Sequence, residues 1–271
     1  MVLEGHEIVL ELDREVDCEG RLLHFFDQNC PYEPEVMQLF FRFLAPGDTA
    51  IDVGANIGYF TTIAASIVGP TGRVVAVEPG TNCLGSLKNN IKVNEFTNVE
   101  VVERPLSDKV REVTFCEARE GAWFNCVWNP ESPADTEFAA TVSSIQATTL
   151  DELTAGKPPP KLIKIDAEGS EHLIFKGARN LLFNHMTPFI IIELNDPCLM
   201  RLGSSQSELR RHMYMYGYDT FLIYANAAFP KWLPPTVNIT GHFVRNILFA
   251  HRDDVGLFWN AEHHEPHFVA H

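Results

Sequence analysis

Hydrophobic residues along this chain form short runs and helical stripes that alternate from residue 48 onward. The stretches between the short runs place apolar residues at helical spacing, for example Leu84, Leu87 and Ile91. Strands that alternate with helices are typical of a mostly parallel sheet with helices on both faces. The sequence therefore predicts an α/β fold. Its predicted strands lie at residues 50–53, 73–77, 99–102, 162–165, 188–194, 220–224 and 246–250.

Segments outside this alternation predict additions to one large domain. Ile8, Leu10 and Leu12 alternate with polar residues, and the apolar run at 22–26 follows a turn signal, which predicts an N-terminal hairpin. The connection between the last two predicted strands lacks a crossover helix, and this favours an antiparallel last strand. The expected divisions are a hairpin extension at 1–31, a main domain at 32–252 with insertions near 116–146 and 225–245, and a tail at 253–271.

Composition narrows the range of partners and compartments. The 271 residues are 45% hydrophobic, enough for a substantial core, and carry a net charge of −15. This negative charge predicts no nucleic-acid partner, because attraction to phosphates needs an excess of lysine and arginine. No apolar run reaches the roughly 20 residues of a membrane-spanning helix, so we expect no membrane partner and a cytoplasmic location. The six cysteines include no C-x-x-C pair, which disfavours a zinc knuckle or a disulfide framework.

A glycine-containing motif lies where the first predicted strand meets the following helix. Within residues 51–58, Gly54 and Gly58 allow a ligand to approach the backbone, and Asn56 lies between them. The G-x-x-x-G spacing differs from the G-x-G-x-x-G of dinucleotide-binding folds, and the motif carries Asp52 two residues before its first glycine. A carboxylate at this position suits a cationic amino acid moiety better than a pyrophosphate. A helix N-terminal cap is the alternative interpretation of Asp52.

Polar residues after the next two strands extend this candidate cofactor site. Glu78 ends the second strand, where an acidic side chain can accept both hydroxyl groups of a ribose, although a surface turn would also explain it. Ser107 follows the third strand, where an adenine would lie. The alternative interpretation is that this residue only forms part of a turn. Two carboxylates without a basic cradle for phosphate fit S-adenosyl-L-methionine as the cofactor.

These motifs resemble those of a known enzyme family. Over residues 32–250 the chain resembles the FkbM-type family of class I S-adenosylmethionine-dependent methyltransferases. The resemblance implies a Rossmann-like, seven-stranded, mostly parallel sheet with an antiparallel last strand. It also implies O-methylation of sugar or polyketide hydroxyls as the typical reaction, with some members methylating amide nitrogens of peptides. The matching motifs lie at 46–48, 51–58, 77–79, 89–90, 94, 98–99, 106–108, 149–153, 163–171 and 192–194.

Candidate catalytic residues lie at the ends of the fourth and fifth predicted strands. Asp166 and Glu193 end these strands, so we expect their carboxylates side by side above the cofactor. Either could remove the proton of an acceptor hydroxyl, and Asp166 is also expected to contact the cofactor. Lys164 points to the same face as Asp166 and needs a partner in a buried strand, which Asp166 or Glu193 could supply. A buried ion pair that orders the end of the sheet is the alternative role.

The acidic residues at these strand ends also raise the question of a metal. Asp166, Glu193, Asn195 and Asp196 offer the hard oxygen ligands that Mg²⁺ prefers, and a divalent cation could lower the pKa of an acceptor hydroxyl. The same carboxylates could instead bind a polar acceptor directly. Glu168 lies at a predicted helix start, where an acidic side chain is favoured without any catalytic role.

The predicted function is therefore an S-adenosylmethionine-dependent methyltransferase of natural-product biosynthesis. We expect it to methylate a hydroxyl of a sugar, polyketide or other small or glycosylated acceptor. Three alternatives stay open from the sequence: an N-methyltransferase acting on a peptide amide, an NAD-dependent oxidoreductase, and a cofactor-binding scaffold without turnover. The oligomeric state, the metal requirement and the identity of the acceptor are not predicted.

Overall fold

The computed structural model describes residues 2–3, 5–28, 30–118, 125–127, 139–224, 230–240, 244–251 and 253–256. Its helices are α1 (Asp17–Asp27), α2 (Pro34–Phe43), α3 (Tyr59–Val68), α4 (Thr81–Val93), α5 (Leu150–Thr154), α6 (Glu171–Lys176), α7 (Arg179–Phe183), α8 (Asp196–Arg201) and α9 (Gln206–Met215). Its strands are β1 (Val2–Leu3), β2 (His6–Glu7), β3 (Thr49–Val53), β4 (Arg73–Val77), β5 (Val99–Val102), β6 (Arg111–Ala118), β7 (Cys126–Val127), β8 (Ala139–Ala147), β9 (Leu162–Ile165), β10 (Phe189–Leu194), β11 (Asp219–Leu222), β12 (Lys231–Leu233) and β13 (Arg245–Ala250).

One large sheet forms the centre of the molecule. In the described part of the chain it has eight strands, in the order β12-β11-β13-β10-β9-β3-β4-β5. Parallel pairing joins β10, β9, β3, β4 and β5, whereas β13 pairs antiparallel with β10. The predicted α/β fold with an antiparallel last strand is confirmed. The sheet has one strand more than predicted, because β12 in the connection 225–245 pairs with β11 at the edge.

Both faces of this sheet are covered, which explains the apolar character of its strands. Successive side chains of a strand point to opposite faces, so neighbouring residues of β3 enter different cores. Ala50 belongs to the core that contains Phe60 of α3, and Ile51 belongs to the core that contains Phe175 of α6. Asp52 shares the face of Ala50 and therefore points toward α3.

The N-terminal segment differs from the predicted hairpin. A small antiparallel pair of β1 and β2 is present, but residues 22–26 belong to helix α1. The strand predicted there is wrong, because Leu22, Phe25 and Phe26 have the i, i+3, i+4 spacing of one helix face. Leu22 is 1% exposed and joins Ile8 in the core on the α3 side of the sheet. The segment is thus packed against the main sheet.

Hydrogen bonds also fasten the N-terminal segment to helix α4. The backbone N–H of Glu11 donates to Oδ1 of Asn90 at 2.8 Å, and Nδ2 of Asn89 donates to the Glu11 carboxylate at 2.7 Å. On α1, the carboxylate of Glu19 accepts a hydrogen bond from the hydroxyl of Ser86. These contacts hold the N-terminal segment against the helix that follows strand β4.

A second, smaller sheet occupies the first predicted insertion. Strands β7, β6 and β8 pair antiparallel in that order. None of the helices in the described ranges has the length and apolar character that crossing a lipid bilayer requires. The cytoplasmic location and the domain division stay predictions. Parts of the two insertions and of the predicted tail lie outside the described residues, namely 119–124, 128–138, 225–229, 241–243 and 257–271, as does residue 252 of the main domain.

Candidate active site

A cavity lies at the carboxyl ends of β3, β4, β9 and β10, where open α/β sheets bind ligands. Leu22 and Tyr32 from the N-terminal segment and Phe115 and Val127 from the second sheet complete its walls. The cavity brings together most of the predicted site residues. Among the described residues, Asp52, Gly54, Asn56, Glu78, Lys164, Asp166 and Glu193 line it, whereas Gly58 and Ser107 do not.

The glycine loop after β3 passes very close to the end of β9. Gly54 has a φ of 77°, and a Cβ atom on it would lie 1.8 Å from the carbonyl oxygen of Asp166. Gly58 has a φ of 92°, and its Cβ atom would lie 2.8 Å from Leu87 of α4. Both positions therefore require glycine. Gly54 shapes the cavity, while Gly58 allows α3 to approach α4.

Glu78 closes the glycine loop onto strand β4. Its Oε2 accepts a hydrogen bond from the backbone N–H of Asn56 at 2.8 Å, and its Oε1 accepts one from Gly80 at 2.7 Å. Burial raises the pKa of Glu78 to about 7, against the lowering effect of these two hydrogen bonds. A carboxylate oxygen has two lone pairs, so each oxygen can accept one further hydrogen bond from a ligand.

Asp52 is buried between the cavity and helix α3. Its Oδ2 accepts a hydrogen bond from the hydroxyl of Thr61 at 2.6 Å. The N-terminal cap position of α3 is Gly58, but the Asp52 carboxylate also interacts with the backbone N–H of Thr61 in the first turn of α3, so a role at the helix start stays open beside the cofactor role. Burial raises the pKa of Asp52, and the charge of Lys164 opposes that shift.

Three buried side-chain atoms at the cavity have no hydrogen-bond partner among the described residues. They are Oδ1 of Asp52, Oδ1 of Asn56 and Oγ of Ser170, and all three residues line the cavity. A buried polar atom without a partner costs stability, so these atoms indicate a polar ligand. The Asp52 and Asn56 oxygens are acceptors, which suits the ammonium and hydroxyl donors of S-adenosylmethionine.

Lys164 and Asp166 form the predicted ion pair. Lys164 is 2% exposed, its Nζ lies 3.0 Å from Oδ2 of Asp166, and it also lies 4.9 Å from the ring centre of Phe60. Burial lowers the pKa of Lys164, but the carboxylates of Asp166, Glu33 and Asp52 outweigh burial and raise it. The lysine is therefore held in its charged form. The pairing is confirmed, and a role in proton transfer stays a prediction.

Three carboxylates converge at the ends of β9 and β10. Oxygen atoms of Asp166, Glu168 and Glu193 all lie within 4.8 Å of one another. Burial, followed by repulsion from Asp166, raises the pKa of Glu193 to about 10 and that of Glu168 to about 8. The sequence favoured a helix-start role for Glu168, but its φ of 48° turns it out of the helix and into the cavity wall. No signal in the sequence separates it from Glu171, which lies at the start of α6.

Other acidic and polar candidates are engaged elsewhere. The Oγ of Ser107 donates to Asp108 at 3.0 Å, and the neighbouring residues Pro105 and Leu106 line the cavity in its place. Asn195 caps helix α8, and both carboxylate oxygens of Asp196 accept hydrogen bonds from Gln206. The predicted Mg²⁺ ligand set is therefore not assembled as expected.

Comparison with protein families gives one match that spans most of the chain. The family model described as "Methyltransferase FkbM domain" matches residues 52–220. This range begins at Asp52 and includes every cavity residue that the sequence predicted. It ends within strand β11, so the N-terminal segment and β13 lie outside it.

Individual relatives are distant. The chain is 26% identical to the hexuronic acid methyltransferase AglP of Haloferax volcanii over 163 residues, which is 60% of this chain and 62% of that protein. It is 35% identical to the arsenite methyltransferase of Halobacterium salinarum over 60 residues, 22% of this chain and 15% of that protein. The chain thus spans less than two thirds of either relative. A SAM-dependent O-methyltransferase structure from Thermotoga maritima aligns with a TM-score of 0.45 at 10% identity, covering 81% of this chain and 65% of that one.

Proposed function

This chain belongs to the FkbM methyltransferase family, and we propose that it transfers a methyl group from S-adenosylmethionine to a hydroxyl of a small acceptor. One observation carries the proposal. The orphaned oxygens of Asp52 and Asn56 lie at the same cavity as the carboxylates of Asp166 and Glu193. Acceptor atoms for a cationic cofactor and groups able to remove a proton are thereby combined in one cavity.

The cofactor half of this cavity is formed by the loops after β3, β4 and β5. Asp52 and Asn56 would accept hydrogen bonds from the amino acid end of S-adenosylmethionine, and Glu78 would accept them from the ribose. Leu106 and Phe115 offer apolar surface for the adenine. Bound there, the cofactor supplies a methyl group activated by its sulfonium charge. An NAD cofactor is disfavoured, because the family model that matches residues 52–220 describes a methyltransferase domain.

Asp166 is the proposed proton acceptor. Its carboxylate receives the hydroxyl proton as the bond between the acceptor oxygen and the methyl carbon forms. The electron pair of the breaking carbon–sulfur bond stays on sulfur, and the proton later passes to solvent. Lys164 holds the Asp166 carboxylate in place through their ion pair, while Glu193 borders the acceptor. A positioned base of this kind contributes about 10²–10⁴-fold to the rate.

The acceptor is proposed to be a small molecule such as a sugar or a polyketide. Acidic side chains line the cavity, and the net charge of the chain is −15, so a polyanionic nucleic acid is a poor partner. The named activity of the Haloferax relative on hexuronic acid agrees with a sugar-like acceptor. No described contact favours a peptide amide over a hydroxyl.

Transfer of a trideuterated methyl group tests the reaction. The purified protein is incubated with labelled S-adenosylmethionine and a panel of sugar, polyketide, peptide, RNA and DNA acceptors, and products are fragmented in a mass spectrometer. We expect the label on an oxygen atom of a small hydroxylated compound. Label on a peptide nitrogen, or transfer only to RNA or DNA, would contradict the proposal. Loss of transfer in Asp166→Asn ties any product to this cavity.

A further inference from the structure

The acceptor half of the cavity, which in the described chain is lined by Lys164, Asp166, Glu168 and Glu193, contains more acidic groups than its one cation can keep ionised. Lys164 is the basic residue that lines it, and its amino group lies 3.0 Å from Asp166. The charge of Arg201 opposes the pKa shift of Glu168, and the charge of Lys164 opposes that of Glu193, but neither cation outweighs the opposing effects. Burial and mutual repulsion raise the pKa of both glutamates. A cation placed between them would relieve this repulsion.

An orphaned hydroxyl in the wall of the same cavity is a second indication that a polar ligand binds in it. Ser170 is 2% exposed, it lines the cavity two residues after Glu168, and its Oγ has no hydrogen-bond partner among the described residues. A serine hydroxyl can accept a hydrogen bond from an N–H donor. The carboxylates and this hydroxyl together resemble a site for a donor-rich cation.

We propose that Glu168, Glu193 and Ser170 bind a protonated amine carried by the methyl acceptor, which makes the acceptor an amino alcohol such as an amino sugar. The inference rests on the proposed function, because it assigns the acceptor of that same reaction. The carboxylate oxygens of Glu168 and Glu193 lie within 4.8 Å of an oxygen of Asp166. An amine and a hydroxyl on neighbouring carbons can therefore reach the glutamates and the proposed base together.

The aromatic wall of the cavity fits the same ligand class. Tyr32 packs edge to face against Tyr59, with ring centres 5.9 Å apart, and it lies beside Phe60. All three line the cavity. Aromatic faces attract cations and cover the apolar face of a sugar ring. A uronate would instead bring a further negative charge toward Glu193, so this chain should differ in acceptor charge from the hexuronic acid methyltransferase that it resembles.

Matched sugars of different charge test the proposal. The full chain, saturated with S-adenosylhomocysteine, is titrated at pH 6.5 with glucosamine, N-acetylglucosamine and glucuronate, and the same three are offered as methyl acceptors. As minimal probes, trans-2-aminocyclohexanol is compared with trans-cyclohexane-1,2-diol. We expect the amines to bind at least about tenfold more tightly than their neutral counterparts, the preference of one buried charged hydrogen bond. Equal or tighter binding of the neutral or anionic compounds would overturn the proposal.

Variants that replace a carboxylate with an amide identify which residues cause the preference for amines. Glu193→Gln and Glu168→Gln should reduce the ratio of amine to neutral affinity by about tenfold, while affinity for S-adenosylhomocysteine stays the same. Glu100→Gln, on the exposed side of β5, removes the same charge far from the cavity and should leave the ratio unchanged. A ratio that survives both cavity variants would show that the amine binds elsewhere and would refute the assignment.

A divalent cation bound by the carboxylates is the other source of positive charge. The same titrations distinguish a bound metal ion from the amine of the acceptor. Each is repeated with EDTA and with added Mg²⁺. The amine preference should persist in EDTA. If glucuronate binds only with Mg²⁺ and glucosamine does not bind, the carboxylates hold a metal and the amine proposal fails. Methyl transfer to the neutral sugars with no preference for the amines would leave the proposed function intact and still refute this inference.

Discussion

The cofactor half and the acceptor half of the cavity are built on different principles. In the cofactor half, backbone geometry and hydrogen bonds to the backbone fix the loop, and Oδ1 of Asp52 and Oδ1 of Asn56 stay unpaired within the described chain as acceptors for a ligand. Glu78 accepts two backbone N–H groups, and Gly54 allows the chain to pass against Asp166. In the acceptor half, burial and then repulsion from Asp166 raise the pKa values of Glu168 and Glu193. The first half is shaped before any ligand binds, whereas the second half depends on its ligand for charge balance.

The largest expected effect comes from Gly54→Ala, which tests the preformed half. The added Cβ atom would lie 1.8 Å from the Asp166 carbonyl oxygen, so the loop or the end of β9 must move. We expect binding of S-adenosylhomocysteine to fall below detection by calorimetry. Gly156→Ala is the matched control, because Gly156 also has a positive φ of 68° but nothing within 4 Å of its Cβ position. Normal affinity in Gly54→Ala would show that the loop is not rigid.

The next effect concerns turnover and links the two halves. Asp166→Asn should lower kcat by about 10²–10⁴-fold, because an amide cannot accept the hydroxyl proton. Affinity for S-adenosylhomocysteine should change little. The melting temperature reports any loss of folding stability from the broken ion pair with Lys164. A kcat within tenfold of the unaltered protein would remove Asp166 from the proposed role.

A moderate effect is expected for Glu78→Gln. One oxygen becomes an NH₂ group, which cannot accept the backbone N–H of Asn56 or Gly80. Loss of a charge-assisted hydrogen bond of about 1.5–3 kcal/mol weakens cofactor binding by roughly 10- to 100-fold. Ser107→Ala serves as the control, since Ser107 does not line the cavity in the described chain. If both variants lose affinity equally, the placement of the ribose at Glu78 is refuted.

The last expected effect concerns stability rather than binding or turnover, and it probes the acceptor half. The pKa of Glu193 is about 10 in the folded chain and near 4.5 when unfolded. Above pH 4.5 the folded state therefore binds more protons than the unfolded state, and stability falls as pH rises toward 10. Without ligand, the melting temperature should decline between pH 5.5 and 8.5, and Glu193→Gln should flatten that decline.

The control for this pH profile is Glu100→Gln. Its hydrogen bond with Arg73 lowers the pKa of Glu100, so it completes its titration below this pH range. The variant should keep the slope of the unaltered protein. A flat profile in the unaltered protein itself would mean that the charges of the acceptor half are already balanced.

The same contrast explains what could be predicted from the sequence. Asp52, Gly54 and Glu78 are predictable because each lies at or directly after the carboxyl end of a strand and because backbone geometry restricts which residue fits. The ion pair of Lys164 with Asp166 followed from the alternation of side chains along one strand. These rules are local, so a single sequence carries them.

The remaining features depend on contacts between distant segments. Glu168 reaches the cavity through a left-handed backbone angle that its sequence neighbourhood does not specify. Leu22 and Tyr32 line the cavity because the N-terminal segment folds back onto α3 and α4, and residues 22–26 suited either a strand or a helix. Asn195 was misplaced as a ligand because its capping of α8 requires knowing where that helix begins.

Strand β13 has a practical consequence for anyone who shortens this protein. It lies between β10 and β11, yet it is contributed by residues 245–250, well past the segment that the family model matches. A fragment trimmed to 52–220 would lose an inner strand and expose the hydrogen-bonding edge of β10. Exposed edges of this kind recruit other chains, so such a fragment should aggregate rather than fold into a smaller enzyme.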